Sequence, residues 1–486
     1  MLPIARRDFM KFLTMLSLPV KASEQPSVSS DSIEKNAPAT TSACKKLPVV
    51  KLSEQLPKGF VVDGSVDYTQ YIQKVLDQFS ECGGEIELPA NVSILVGNLV
   101  IHSNTRISGD KNTSILKIKP GCVGISANPE GARGMPKREV TNVVLSNFTI
   151  AGSVEKSGFS EHLHLLSMNG ITNSKFSDLI ISGFQGDGIY LGIVQQGSTV
   201  INTRKISISD VIIDGINRDN RNGISIVDGT EITIDKVTIS RCSRRNMPGA
   251  IDIEPDIRQA RIGDISISNV QIFDCGGGVG AVSLAYANVP FDTPPGKIRI
   301  DKVTVDGCAS NAFAAISRRS LSAYHDPMNV DVVISNCIAK NGGEPFALVG
   351  VSNVKLLNNK FSDFKGTALV GYIRPEKKCA KILLSGNTWM NCGKISGTGL
   401  AIYSVSDLKI ADEFIDCGAG IVGKANAISF NLGVSEFVDI SRAKFSSPTG
   451  KTMVMIKKNI GHFFSPKTNH PSINKNTNLI SEFEAR

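Results

Sequence analysis

The chain has 486 residues, of which 41% are hydrophobic and 6% aromatic, and its formal net charge is +8. That is enough apolar material for a large core, which excludes a disordered or low-complexity chain. The modest positive excess has no aromatic-interleaved basic stripe, so nucleic acid is not an expected partner and an acidic glycan suits the charge better.

Residues 1–22 are expected to be an export signal. Arg6-Arg7-Asp8-Phe9-Met10-Lys11 resembles the twin-arginine pattern, an apolar stretch runs from Phe12 to Val20, and Ala22 suits a cleavage site. The stretch is too short to span a bilayer, and no later segment is long and apolar enough to do so. The expected partner is the twin-arginine export machinery and the expected location is periplasmic or secreted. Residues 23–46, rich in Ser, Pro, Thr and Ala, read as a flexible linker. The folded domain is then 47–464, followed by a polar tail at 465–486.

The first predicted element of that domain is a helix. Tyr68, Ile72, Val75, Leu76 and Phe79 share one face, and Asp67 or Ser65 can cap its start. Beyond it the pattern changes to short period-2 runs of one shape, small–aliphatic–x–aliphatic–x. These are Gly188–Gly192, Gly223–Val227, Ala250–Glu254, Ala281–Ala285, Ala347–Val351, Ala368–Tyr372, Gly399–Tyr403 and Ala427–Asn431. Runs returning about every 21–35 residues mark a solenoid of stacked strands, whereas propeller blades repeat at about 40–50. A second phase opens at Ser146, Ser177, Ser209, Asp235, Ser268, Asp301 and Ser335, at steps of 31, 32, 26, 33, 33 and 34 residues. Its Asn, Asp and Ser residues suit sharp corners. The apolar runs are β-branched and too short for amphipathic helices, so the expected fold is all-β, a single-stranded parallel β-helix. An open solenoid end exposes strand edges and core, and the helix at 68–79 is its N-terminal cap.

Cys242, Cys275 and Cys308 fall on one phase, 33 residues apart, and are expected to stack inward as small apolar thiols. The chain has no close CxxC pairs, which argues against a zinc site. Gly276-Gly277-Gly278 lacks the following helix and lysine of a phosphate loop.

The series Asp63-Gly64 with Asp67 and Thr69, Ile72-Gln73, Gly83-Gly84, Leu88-Pro89 and Ser103-Asn104-Thr105 resembles the first coils of the pectin-lyase-like superfamily. More narrowly it is similar to pectate-lyase-3-type domains. The resemblance extends over roughly 60–460, through Arg221-Asn222-Gly223-Ile224 and Pro248–Pro255. It implies a right-handed coil, which periodicity alone does not. It leaves the reaction open, because the superfamily holds lyases, hydrolases, epimerases and non-catalytic binders. The chain lacks the Asp-Asp pair and Ser-His-Gly of polygalacturonases, the Trp-Ile-Asp-His of pectate lyases and the Tyr-Gly-Phe-Asp-Pro-His of mannuronan epimerases. No catalytic residue carries over from them.

Aligned coils turn the sequence into a surface. In Ala250–Glu254 the isoleucines point inward, so Asp252 and Glu254 face out. The matching outward positions give a column His164, Tyr190, Ser225, Asp252, Ser283. Carboxylates two residues apart on a strand are about 6.5–7 Å apart, within the roughly 6.5–9.5 Å of an inverting glycosidase. Asp252 and Glu254 are therefore the candidate acid and base, with Asp228 nearby. A lyase would instead use Tyr190 or His164 as the proton acceptor. Arg221, Arg244, Arg245 and Arg258 are candidates for gripping uronate carboxylates, and Asp187 in Gly186-Asp187-Gly188 is a further substrate-binding candidate. Asp252, Glu254 and Asp256 form a candidate Ca²⁺ site, the one cofactor the sequence suggests.

The expected function is cleavage of a polysaccharide, expected to be acidic, by lyase or glycosidase chemistry. The alternatives are a non-catalytic glycan-binding or surface-structural protein, favoured by the missing motifs and a single tryptophan, Trp389, and a uronate C5-epimerase. A homo-oligomer that covers the carboxyl-terminal end is a further expectation.

Overall fold

The computed structural model describes residues 47–129, 137–286, 291–317, 326–371 and 378–418, with shorter pieces at 426–430, 435–446, 453–456, 460–465, 473–475 and 483–485. The expected signal and linker, 1–46, lie outside the described residues.

Alternating apolar residues form short strands, each parallel to and in register with the strand one coil further on. Ile206, Ile232, Ile265, Ile298, Val332, Val354, Ile382 and Leu408 make one such file. Among the described residues the strands build a 27-stranded sheet, a 14-stranded sheet and a small antiparallel hairpin, Val194–Gln196 with Thr199–Ile201. Parallel crossovers wind right-handed. The chain is a right-handed parallel β-helix.

The corners follow from the second repeat phase. Asn147, Asp178, Asp210, Lys236, Asn269, Lys302 and Asn336 all adopt left-handed backbone, with φ between 52° and 58°. One residue at αL turns the chain between strands, and Asn and Asp accept that conformation most readily. Lysine does so at two corners where the preceding aspartate ties the coils together. Asp235 accepts hydrogen bonds from Ser268 and Asn269 of the next coil, each at 2.7 Å. Asp301 repeats the arrangement with Ser335 at 2.8 Å and Asn336 at 2.7 Å.

Inside, one continuous core fills the coil. Its later part is aromatic: Phe361, Trp389, Phe414 and Phe445 stack coil on coil at centroid distances of 4.8, 5.3 and 5.4 Å. Cys242, Cys275 and Cys308 are buried free thiols, the first two with sulfurs 3.4 Å apart, whereas Cys82 is disulfide-bonded. Two of the repeat runs read from the sequence are out of phase. Phe346, two residues before Leu348, stands on inward Phe313, and Ala368, one residue before Leu369, stands on inward Leu400. Phe346 lies 5.4 Å from Trp389 in the aromatic core; its two-residue shift keeps Leu348 inward, whereas the one-residue slip at Ala368 exchanges inward for outward faces.

The cap is helix α1 (Thr69–Gln78), which buries Ile72, Val75 and Leu76, flanked by buried Tyr68 and Phe79. Asp67 accepts the Thr69 N–H at 2.9 Å at its start. The first strand of the 14-stranded sheet, Leu99–Val100, has an open edge that α1 closes. Gln73 donates its amide to the Val100 carbonyl at 3.1 Å and accepts the Val100 N–H at 2.8 Å. At the other end, Ile473–Lys475 and Phe483–Ala485 add strands to both large sheets within the segment read as a polar tail.

Candidate active site

The outward positions of the 14-stranded sheet bring Ser167, Tyr190, Ser225, Asp252 and Ser283 into one file. Four of these are the residues expected from the repeat, but His164 is not in the file. Ser167 takes its place, and His164 sits three residues earlier, in the loop entering that coil. The loop still folds the imidazole onto Tyr190, with the rings stacked at 4.6 Å and 8°. Tyr190 fits because Gly192 leaves room beside it: a Cβ there would lie 2.5 Å from the phenol ring and 2.1 Å from the Asn169 amide oxygen.

The entering loops carry a second file, two residues before each strand, that the sequence reading did not anticipate. His164 Nδ1 accepts the Asp187 N–H at 3.0 Å, Asp187 Oδ1 accepts the Asn222 N–H at 3.0 Å, and Asn222 Oδ1 accepts the Gly249 N–H at 3.2 Å. Each side chain thus binds the backbone of the next coil. Because Nδ1 accepts, Nε2 carries the imidazole proton. Burial pushes the His164 pKa down to about 4, against the pull of Asp187. His164 is thus neutral, with its acceptor nitrogen Nδ1 engaged by the Asp187 N–H and its Nε2–H free to donate.

Arg221 joins the two files. Its guanidinium donates to Asp187 at 2.8 Å, to Ser225 at 3.0 Å and to Glu254 at 3.3 Å, and Glu161 lies 3.8 Å away. Burial alone would lower its pKa, but Asp187, Asp252 and Glu254 outweigh burial and raise it. Beneath it Asp252 is fully buried. It accepts the Ser283 hydroxyl at 2.5 Å and the Asn222 amide at 3.4 Å, and a side-chain hydrogen bond joins it to Glu254. Burial first, and the Glu254 charge second, hold the Asp252 carboxyl well above the usual carboxylate range. Asp252 therefore keeps its proton where an ordinary carboxylate has lost it. Glu254 is the member that reaches solvent, with its side chain 15% exposed.

The other candidates are spread wider. Arg244 lies over the Phe159 ring at 4.5 Å and 3.7 Å from Asp219, on the side wall of the site. Arg245 is exposed. Arg258 is 67% exposed and pairs with Asp292, outside the cluster. Asp228 is turned away: it binds the Thr203 and Arg261 N–H groups and the Asn202 amide at 2.6–2.8 Å, and burial pushes its pKa up to about 6. Its carboxylate pins loops rather than facing the cleft. The Ca²⁺ set does not assemble. Asp256 is exposed, the cation against Glu254 is Arg221, and among the described residues no group of three or more His, Cys, Asp or Glu side chains is arranged to hold a metal ion.

Asn222, Glu161 and Phe159 were missed. The signal for Asn222 was present, since Asp187-Gly188 and Asn222-Gly223 occupy the same phase. No protein-family model matches the chain, and no curated protein matches its sequence. Solved structures do. The A-module of mannuronan C-5 epimerase AlgE6 from Azotobacter vinelandii is 13% identical with a TM-score of 0.57, covering 82% of this chain and 99% of its own. A double mutant of the tailspike protein of E. coli bacteriophage HK620 is 14% identical with a TM-score of 0.52, covering 85% of this chain and 78% of its own. An N-terminal fragment of bacteriophage phi29 gene product 12 is 12% identical with a TM-score of 0.51, covering 86% and 80%. The likeness is one of fold. Among the described residues no helix is long and apolar enough to cross a membrane.

Proposed function

We propose that this protein is an exported carbohydrate-active enzyme that hydrolyses a polysaccharide on the outward face of the 14-stranded sheet. The observation that carries the reading is fully buried Asp252 beside solvent-reaching Glu254, which Arg221 holds at 3.3 Å. The Asp252 proton passes through Glu254 to the glycosidic oxygen as the C–O bond breaks, water adds to the anomeric carbon, and the two carboxyl groups take the water's proton back. Asp252 keeps the proton available and Arg221 stabilises the pair when it carries two charges. The Tyr190–His164 stack offers a flat wall and an N–H donor for a sugar ring. Two of the similar folds belong to a mannuronan epimerase and a phage tailspike, in keeping with a glycan ligand. The arginine pair at Arg6-Arg7 and the Cys82 disulfide support export to an oxidising compartment.

The second reading is proton abstraction from a uronate, leading to β-elimination or C5 epimerisation. The half-exposed Tyr190 phenol in the same cluster as Arg221 favours it. The test is incubation of the protein with a panel of neutral and acidic polysaccharides. New reducing ends without unsaturated-uronate absorbance, abolished in Glu254→Gln, are expected. Unsaturated ends, or altered uronate composition at constant chain length, would establish the second reading instead. Tight glycan binding without any turnover would leave a binding protein.

A further inference from the structure

The N-terminal end of the same sheet holds a cavity of about 380 Å³ between α1 and the first two coils. Its apolar surface comes from Val100, Ile101 and Val140. That size falls within the range of small-ligand sites, about 300–1,000 Å³. Four ionisable side chains line it: Asp77, His102, Lys137 and Arg138. The Nε2 atom of His102 is buried and has no hydrogen-bond partner among the described residues. The nearest carboxylate oxygen, on Asp77, is 3.6 Å away, too far for a hydrogen bond. Arg138 stands at the rim with its backbone clamped by Asn128, whose amide donates to the Arg138 carbonyl at 2.8 Å and accepts its N–H at 3.3 Å.

We infer that this cavity is a second ligand site, which binds one uronic-acid unit of an acidic polysaccharide. The apolar surface takes a sugar-ring face, Arg138 and Lys137 take the carboxylate, and His102 Nε2 and the Asp77 carboxylate take ring hydroxyls. Asp77 is what separates a sugar from a plain anion: an acceptor-only group is matched by hydroxyl donors and repels a phosphate. The inference rests on the polysaccharide reading and adds the charge class of the ligand. The Asn128 coil and the Asp252 coil are four steps apart in the sheet, about 19 Å at about 4.8 Å per step. A long acidic chain therefore reaches both places at once, and its second attachment is intramolecular.

The experiment is calorimetric titration of the full chain with D-glucuronate, glucose and inorganic phosphate, repeated on Arg138→Gln, His102→Gln and Glu254→Gln. Saturable glucuronate binding, about tenfold weaker in Arg138→Gln, weakened in His102→Gln and unchanged in Glu254→Gln, is the expected result. No glucuronate binding, equal binding of glucose or phosphate, or affinity indifferent to Arg138 and His102 overturns the site. Glucuronate affinity lost in Glu254→Gln also overturns it, by moving the ligand to the Asp252 cluster. The hydrolytic reading fails separately, when Glu254→Gln keeps full turnover.

Discussion

Replacing Asp252 with asparagine isolates the proton on which the proposed chemistry depends. In the folded protein Asp252 keeps its proton well above its ordinary pKa of 3.8, whereas the unfolded chain loses it there. Folding therefore takes up a proton over that window, and a state that binds more protons loses stability as pH rises. One proton corresponds to at most about 1.4 kcal/mol per pH unit, so wild type loses stability from this group as pH rises above about 4, until the folded-state carboxyl itself ionises. Asparagine keeps an acceptor for Ser283 and a donor toward Glu254 but has no proton to take up. The expected outcome is that the stability difference, wild type minus Asp252→Asn, falls as pH rises above about 4, with a slope of at most about 1.4 kcal/mol per pH unit, in urea denaturation. Asp228 and Asp412, both pushed up to about 6 by burial, contribute equally to both proteins and cancel. Turnover of the identified glycan falls at least about 100-fold in the variant. Parallel stability curves for the two proteins would refute the proton retained by Asp252, and with it the acid–base assignment.

His164→Asn tests the opposite sign. The wild-type imidazole titrates at about 4 rather than 6.5, so wild type gains stability as pH rises through that window, by about 3 kcal/mol, and the variant lacks this gain in the same denaturation series. Gly192→Ala places a Cβ 2.1 Å from Asn169 and 2.5 Å from Tyr190. It should unstack the phenol from His164, seen in near-ultraviolet circular dichroism, and lower turnover, at a folding cost of about 1–3 kcal/mol. Arg258→Ala should change stability by no more than about 0.5 kcal/mol and leave turnover intact, since its partner pair is exposed. Arg221→Gln should cost several-fold more, about 3–5 kcal/mol, by leaving buried Asp187 without its cation.

The coil and most of its register were legible in the sequence because a β-helix is local in kind. Period-2 runs and αL corners recur, so Tyr190, Ser225, Asp252 and Ser283 fall in file once the phase is read. The reading failed where the repeat is irregular. The entering loop at His164 shifts by three residues against the strand, the run at Phe346 in the aromatic core shifts by two, and the run at Ala368 by one. Periodicity specifies strands and leaves loop length free. The protonation of Asp252, the neutral tautomer of His164 and the turning of Asp228 away from the cleft were decided by the tertiary structure alone. Each depends on burial and on which groups from other coils come within a few ångströms, and Arg221 bending across the sheet between Asp187 and Glu254 sets those distances.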